Sequence, residues 1–529
     1  MPGFTTTAAP PRAPESAWRR SAVWLLVTLA YLFAFPYYER LNNPNENART
    51  WATRAIVEHG VLNIDAEERE WGYVNDKCKN DKHVYSGKAP GASFLGVPVL
   101  AVVTKIRHLQ GRPSPGKMET TFWLRLFAVK VPLCVFFWFF ARYVERLTGS
   151  RQARDVLLAA LGLGTLMYPY GGLFVGHALA AAAACGAYML LAPASGPGAR
   201  RGGLDPRLVG AGLLAGATVV FEYQAAFVVA ALTVYAVHRY RRESVAYFLG
   251  AAPMAVGLGA YHTAIFGRPW RFPFGNVENP EFLRRDHSAG FHGLALPKLP
   301  ALGASLFAPD YGLFVFSPIL AVGLLAALAL LPRRPRRDAA LVVAASALMF
   351  LFLAGMSNWR AGWCVGPRYI TTVAPFLVLG VAFAWAVIQR RTWLMAPTLG
   401  LVIVSVFLNV VSGAVYPHYP EVFDNPVFDL TLPVLRAGYA PYSFGWLLGL
   451  RGLASVAPLA LVVLGALGLG LAGEAPRPPR RWARISGALA VAALCLLALS
   501  AYGRKPSPGE QSSAAFVRAT WEPQPAIKR

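Results

Sequence analysis

The sequence is short of charge, and of acid above all. Only 15% of its 529 residues are charged, against about 25% in soluble globular domains. Asp and Glu number 27 against 51 Lys and Arg, for a formal net charge of +24. No Walker loop is present, which argues against ATP as the energy source. No Cys or His cluster has zinc spacing, and no Gly-x-Ser-x-Gly elbow occurs. No internal repeat or inverted duplication is visible, which weighs against a secondary transporter. A long soluble domain is missing too.

What is there instead is apolar. Hydrophobic residues make up 55% of the chain, with runs such as 341–354 and 456–471. A basic balance often marks a nucleic-acid partner, but this apolar excess excludes that class. The pattern predicts an all-α membrane protein, a polytopic bundle of about 13 transmembrane helices in one domain over residues 1–501. The spans fall at about 21–38, 119–141, 155–170, 174–191, 208–221, 224–237, 245–265, 311–331, 339–355, 369–388, 393–415, 443–471 and 485–501. The short pair flanking Phe221-Glu222-Tyr223-Gln224 reads as tilted helices or as broken helices that line a cavity.

Arginine sets the expected topology. Arg12, Arg19 and Arg20 precede the first span, which reads as a signal anchor and not a cleaved signal peptide. With 13 spans, every connection on the inner side is Arg-rich: 142–154, 200–207, 239–242, 333–337, 390–391 and 477–484. Counting 91–106 as a further span would invert that pattern, so it reads as an interfacial or re-entrant helix on the outer face. Segments 39–118, 266–310, 356–368 and 416–442 then face outward and carry most of the acids. The tail 502–529 reads as polar, disordered and outward. The expected location is an inner (plasma) membrane of bacterial type, with the N-terminus cytoplasmic.

Chemistry is therefore sought in the outward segments. Glu46 stands near the N-terminus of an expected helix, either as a capping carboxylate or as a general base. Asp76 and Asp81 follow in the same segment, with His83, Tyr85 and Lys88. Lys88 lies at headgroup level, suited to a phosphate or to ordinary snorkelling among lipid headgroups. The segment 357–369 holds Trp359, Arg360, Trp363 and Arg368. Its Arg forks suit phosphate and its Trp faces suit sugar rings, although an aromatic belt with interfacial Arg has the same composition. The second segment adds Arg268, Glu278, Arg284, Arg285, Asp286 and His287, and Asp310 stands at the mouth of the next span. Cys78 and Cys364 both fall outside, where a disulfide between them is open.

These motifs resemble the GT-C class of integral membrane glycosyltransferases. The likeness is to glycosyltransferase family 39, which includes protein O-mannosyltransferases and the lipid A aminoarabinose transferase, and to its bacterial relatives. The family's Pro-Asp-Glu after the first helix is similar to Pro44-Asn45-Glu46, and its Lys-Pro-Pro to Lys88-Ala89-Pro90. The Trp-x-x-Gly-x-x-x-Gly-Pro-Arg-Tyr run at 359–369 is similar to one in the bacterial relatives. The likeness covers most of the chain, in arrangement more than in identity. The family's usual catalytic Asp falls on Asn45, which cannot act as a base, so the resemblance leaves Glu46, with Asp76 or Asp81 in reserve.

The resemblance implies a GT-C-like bundle with juxtamembrane helices in the first outward segment. It implies a polyprenyl-phosphate-linked sugar as donor, among membrane lipids, and a lipid, glycan or protein as acceptor. Lys88, Arg368 and Arg360 would hold the leaving phosphate, and displacement would invert the anomeric centre. Tyr85, His83, Trp359, Trp363 and Asp310 would contact substrate. No cofactor is implied, and no metal is required on this scheme. Three other readings compete: a transporter or flippase of lipid-linked sugars, a glycan polymerase or ligase, and a non-catalytic membrane partner protein.

Overall fold

A computed structural model describes residues 15–38, 41, 43–192, 204–333, 335–472, 478–503 and 519. The expectations for Arg12, Arg200, Arg201, Arg334 and Arg477, and for nearly all of the tail, fall outside the described residues. The described chain is helical apart from loops and one two-stranded antiparallel hairpin, Lys77–Lys79 with Val84–Ser86.

Eight helical segments among the described residues are long and apolar enough to cross a membrane: Gly91–Leu109, Lys117–Thr148, Tyr223–Phe266, Arg336–Gly355, Arg368–Ile388, Thr392–Val415, Gly452–Leu471 and Pro479–Ala501. Shorter apolar helices run over His177–Leu191, Pro206–Phe221 and Ile319–Leu330. The chain is an integral multi-pass membrane protein, since so many all-round apolar helices have no stable place in water.

The expected set of 13 spans differs from this pattern at identifiable breaks. The expected span 311–331 splits into Leu313–Phe316 and Ile319–Leu330 at Ser317-Pro318, where proline removes a backbone donor. The span 443–471 holds only a short turn, Phe444–Leu447, before Gly452–Leu471 begins. The pair 224–237 and 245–265 is present as Ala226–Tyr240 and Val245–Phe266, joined through Arg241 at φ 50°. The segment expected to lie at the interface, 91–106, is one unbroken helix, Gly91–Leu109, whose length and composition would also allow it to cross.

Apolar burial has little driving force between helices in lipid, so close packing holds the bundle. Helices Pro206–Phe221 and Val245–Phe266 meet at Gly212 and Gly250. A Cβ on Gly212 would lie 1.8 Å from the Tyr247 carbonyl oxygen, and one on Gly250 2.0 Å from that of Val209. Helices Ile319–Leu330 and Ala374–Ile388 meet the same way at Gly323 and Gly380. A network of Glu15, Arg19, Glu145, Arg154 and Asp155 ties further helix ends together. Asp155 pairs with both Arg19 and Arg154 at 2.7 Å, and Arg154 reaches Glu15 at 2.8 Å.

The loop segments are joined by their backbones. The Lys79 amide donates to the Asn276 carbonyl at 2.9 Å and the Glu278 amide to the Lys77 carbonyl at 3.2 Å, so residues 276–278 extend the hairpin. The Ser357 amide donates to the Gly293 carbonyl at 2.8 Å, and the Ala295 amide to the Gly355 carbonyl at 2.9 Å. The Cys364 amide donates to the Tyr419 carbonyl at 3.1 Å. Segments 39–118, 266–310, 356–368 and 416–442 are thereby fastened into one assembly.

Candidate functional site

All four of these segments line one cavity of about 770 Å³. Asp76 and Lys88 reach it from the ends of the hairpin. The register places Lys77 opposite Ser86, so Asp76 and Gly87 lie just past the last pair. The Gly87 amide donates to the Asp76 carbonyl at 2.9 Å, and a Cβ at Gly87 would lie 3.0 Å from that oxygen. This close approach favours glycine, and it sets Lys88 Nζ 2.9 Å from Asp76 Oδ2.

Arg368 enters from the third segment. Gly366 takes a positive φ of 58°, Pro367 follows, and Arg368 opens the turn Arg368–Val373. Its guanidinium makes no hydrogen bond or ion pair among the described residues, and Nε is buried without a partner. The nearest aromatic ring is that of Tyr369, at 5.5 Å. Burial alone would raise the Asp76 carboxyl, but the charges of Lys88 and Arg368 outweigh it and hold that group below its ordinary value. The cavity therefore presents an ionised carboxylate, a paired ammonium and an unpaired guanidinium. A phosphate brings the anionic charge and the acceptor oxygens that such a pair of cations lacks.

Glu46 lies elsewhere. Its carboxylate takes two hydrogen bonds from Arg125, at 2.6 and 2.7 Å, and a third from the Phe174 amide at 2.7 Å. Both oxygens are engaged and the side chain is buried. Burial would raise its carboxyl, but Arg125 and the Phe174 amide turn the balance and hold it low. Glu46 is not among the cavity-lining residues, although Asn43 and Pro44 are. Asn45, at the family's usual Asp position, hydrogen-bonds Arg49 through its side chain. Arg49 in turn pairs with Glu222 at 2.7 Å, beside His177 at 3.4 Å.

Of the residues singled out from sequence, Asp76, Lys88, Arg285, Asp286, His287, Arg368 and Trp363 line the cavity. Asp81 is exposed at the hairpin tip. His83 is exposed as well, with Nδ1 2.7 Å from Asp65 Oδ2. Tyr85 pairs with Cys78 in the hairpin and takes a hydrogen bond from Asn80 at 3.1 Å. Arg360 is paired with Asp310 and faces Glu421 at 3.6 Å. Trp359 packs on Tyr311, with ring centroids 5.6 Å apart, and its carbonyl accepts the Tyr311 hydroxyl. Cys78 and Cys364 are both buried and both free, so the disulfide left open by the sequence does not form; each thiol instead faces carbonyls of its own segment.

His418, in the fourth segment, also lines the cavity and gave no signal in the sequence. Its segment carries no motif, and only the fold brings it to the cavity. Tyr223 and Gln224 also line it, at the break between the two short apolar helices. Arg125 sits inside an apolar helix, where an ionisable residue is itself a signal of a buried partner.

Fold and site define a polytopic membrane protein whose loop segments enclose a cationic, aromatic cavity. No family model matches the chain, and no curated protein matches it. Among solved structures it is similar to ArnT from Cupriavidus metallidurans bound to undecaprenyl phosphate. That match has 17% identity over 95% of this chain and 80% of that one, with a TM-score of 0.46. It is also similar to the Archaeoglobus fulgidus oligosaccharyltransferase tethered with an acceptor peptide, at 13% identity and a TM-score of 0.44. That match covers 97% of this chain but only 60% of the archaeal one. AglB from the same organism, in complex with an inhibitory peptide and a dolichol-phosphate, matches at 12% identity and a TM-score of 0.43, over 80% of this chain and 59% of that one.

Proposed function

We propose that this protein transfers a sugar from a polyprenyl-phosphate-linked donor to a lipid, glycan or protein acceptor, with inversion, on the outer face of the membrane. The observation that carries the reading is the unpaired Arg368 guanidinium in one cavity with the Lys88–Asp76 pair. The topology that suits it has the N-terminus cytoplasmic in a bacterial-type inner membrane, so that the cavity opens outward.

On this reading Arg368 and Lys88 bind the donor phosphate and offset its charge as it leaves. Phosphate draws Lys88 away from Asp76, and the carboxylate gains basicity as it loses that partner. The acceptor hydroxyl oxygen attacks the anomeric carbon, and its proton passes to Asp76. The carbon–oxygen bond to phosphate breaks, and the electron pair leaves with polyprenyl phosphate. Trp363 offers the sugar a ring face. Asp76 is preferred to Glu46 because the Glu46 oxygens are held by Arg125 and the Phe174 amide.

The test uses the full chain in nanodiscs, with undecaprenyl phosphate carrying a radiolabelled sugar and total membrane material as acceptor. Wild-type protein is expected to move label into the acceptor fraction. Asp76→Asn is expected to lower that rate by about 10²–10⁴, the usual contribution of a general base, while still binding undecaprenyl phosphate. Full transfer by Asp76→Asn removes the base from the mechanism. Binding without transfer by wild-type protein favours a carrier of lipid-linked sugars.

A further inference from the structure

His418 stands apart from the groups used so far. It lies in the fourth segment, three residues past the helix Thr392–Val415, and lines the same cavity as Arg368. The side chain is 6% exposed. Its ring is held edge-on between Tyr38, at 6.4 Å and 84°, and Tyr416, at 6.0 Å and 88°. The next residue is pinned by the Cys364 amide on the Tyr419 carbonyl at 3.1 Å. Yet neither ring nitrogen makes a hydrogen bond among the described residues. The two nitrogens are not among the enclosed, unpartnered polar atoms and so open onto the cavity, and an oriented polar group at a cavity wall is a receptor for something that enters.

The chemistry of that ligand group follows from the ring. Burial, with the nearby Arg125 and Arg368 charges, holds the His418 imidazole at a pKa of about 3 despite the Glu46 carboxylate, so it is neutral at physiological pH. A neutral imidazole offers one N–H donor and one bare acceptor nitrogen. A phosphate offers acceptors only and suits Arg368. A hydroxyl both donates and accepts, and it matches a ring with both functions unmet.

We propose that His418 binds a substrate hydroxyl and selects among substrates by it, separately from the phosphate site formed by Arg368 and Lys88. The inference rests on the functional reading above. The hydroxyl belongs either to the sugar on the donor lipid or to the acceptor. A site built around a buried polar group rejects a ligand that leaves it unpaired.

The experiment compares binding of undecaprenyl phosphate with binding of undecaprenyl phosphate linked to glucose or to mannose, using the full chain in nanodiscs. His418→Phe keeps the ring without its nitrogens, and His418→Gln keeps a donor and an acceptor. His418→Phe is expected to weaken at least one sugar-bearing lipid tenfold or more, with undecaprenyl phosphate unchanged and partial recovery in His418→Gln. That outcome assigns the hydroxyl to the donor sugar. Unchanged binding of all three lipids, with a higher requirement for acceptor in the transfer assay, assigns it to the acceptor. The same loss for undecaprenyl phosphate as for the sugar-bearing lipids places His418 on the phosphate and overturns the inference, as does no change in binding or transfer. Unchanged undecaprenyl phosphate binding also shows that the variant is folded. Wild-type protein that binds none of the lipids overturns the functional reading, and the inference with it.

Discussion

Arg125 grips Glu46 through both carboxylate oxygens, at 2.6 and 2.7 Å, inside a shell that leaves each side chain about 5% exposed or less. Arg125 also donates to the Pro36 carbonyl at 2.9 Å, and Glu46 accepts the Phe174 amide. The pair thus joins the end of the first helix, the start of the first loop helix and the segment that leads to His177. Breaking such a pair leaves a buried charge uncompensated. Glu46→Ala and Arg125→Met are each expected to cost on the order of 3–5 kcal/mol, read as a lower melting temperature in detergent. The double variant should lose less than the sum. A stable but inactive Glu46→Gln, with transfer alone abolished, would return the base to that position.

Arg368 has the opposite character, a cation with nothing to hold. Arg368→Ala should therefore leave stability within about 1 kcal/mol of wild type, read from the melting temperature, since no ion pair or hydrogen bond is lost. Undecaprenyl phosphate binding should fall, and transfer should drop by about 10²–10³, as when one oxyanion donor is removed. Arg368→Lys should recover only part of the loss, since a point charge does not reproduce the guanidinium fork. Equal destabilisation and inactivation would instead mark Arg368 as structural.

The Asp76 carboxyl sits below its ordinary value because Lys88 and Arg368 outweigh its burial. Its charged form is the one the fold favours, so kcat/KM for transfer, which reports the free protein, should persist below the pH at which an unpaired aspartate loses its charge. Lys88→Gln removes the largest lowering partner, and the acid limb of residual activity should move to higher pH. The same sign governs stability. A depressed carboxyl stabilises the folded state above its unfolded value of about 3.9 and loses that contribution as pH falls through the folded value. An acid limb unmoved by Lys88→Gln would detach Asp76 from the profile.

Gly323 tests the packing of the bundle. A Cβ there would lie 1.8 Å from the Leu377 carbonyl oxygen, a backbone atom that cannot rotate away. Gly323→Ala should push the helices Ile319–Leu330 and Ala374–Ile388 apart and destabilise by about 1–3 kcal/mol, the usual cost of overpacking. Gly257→Ala is the control, since a Cβ there meets nothing within 4 Å. Similar melting temperatures for the two variants would show that the contact tolerates a methyl group.

The amino-acid pattern carried the helical membrane architecture, because apolar runs declare themselves in any chain. It located the breaks less well. Ser317-Pro318 and the glycines near 449–452 interrupt apolar runs without changing their hydropathy. For the site, Asp76 and Lys88 were legible as charges before an apolar helix, and Arg368 as part of an aromatic, Gly-rich loop. Arg360 looks the same in sequence, yet Asp310 and Glu421 claim it. Glu46 stood ahead of Asp76 until the fold placed Arg125 beside the first and the cavity beside the second. His418 could not be found at all, since one histidine in a motif-free loop carries no periodicity and no spacing.

The walls of the cavity are fastened to one another through peptide groups, from Lys79 to Asn276, Gly293 to Ser357 and Cys364 to Tyr419. Peptide groups are common to every amino acid except for proline's missing donor. The position of each wall is therefore largely indifferent to the side chains that it displays. Residues on the inner surface can be exchanged for others of different size and polarity while the enclosure keeps its shape. A chamber framed in this way can be refitted for a new guest without being rebuilt.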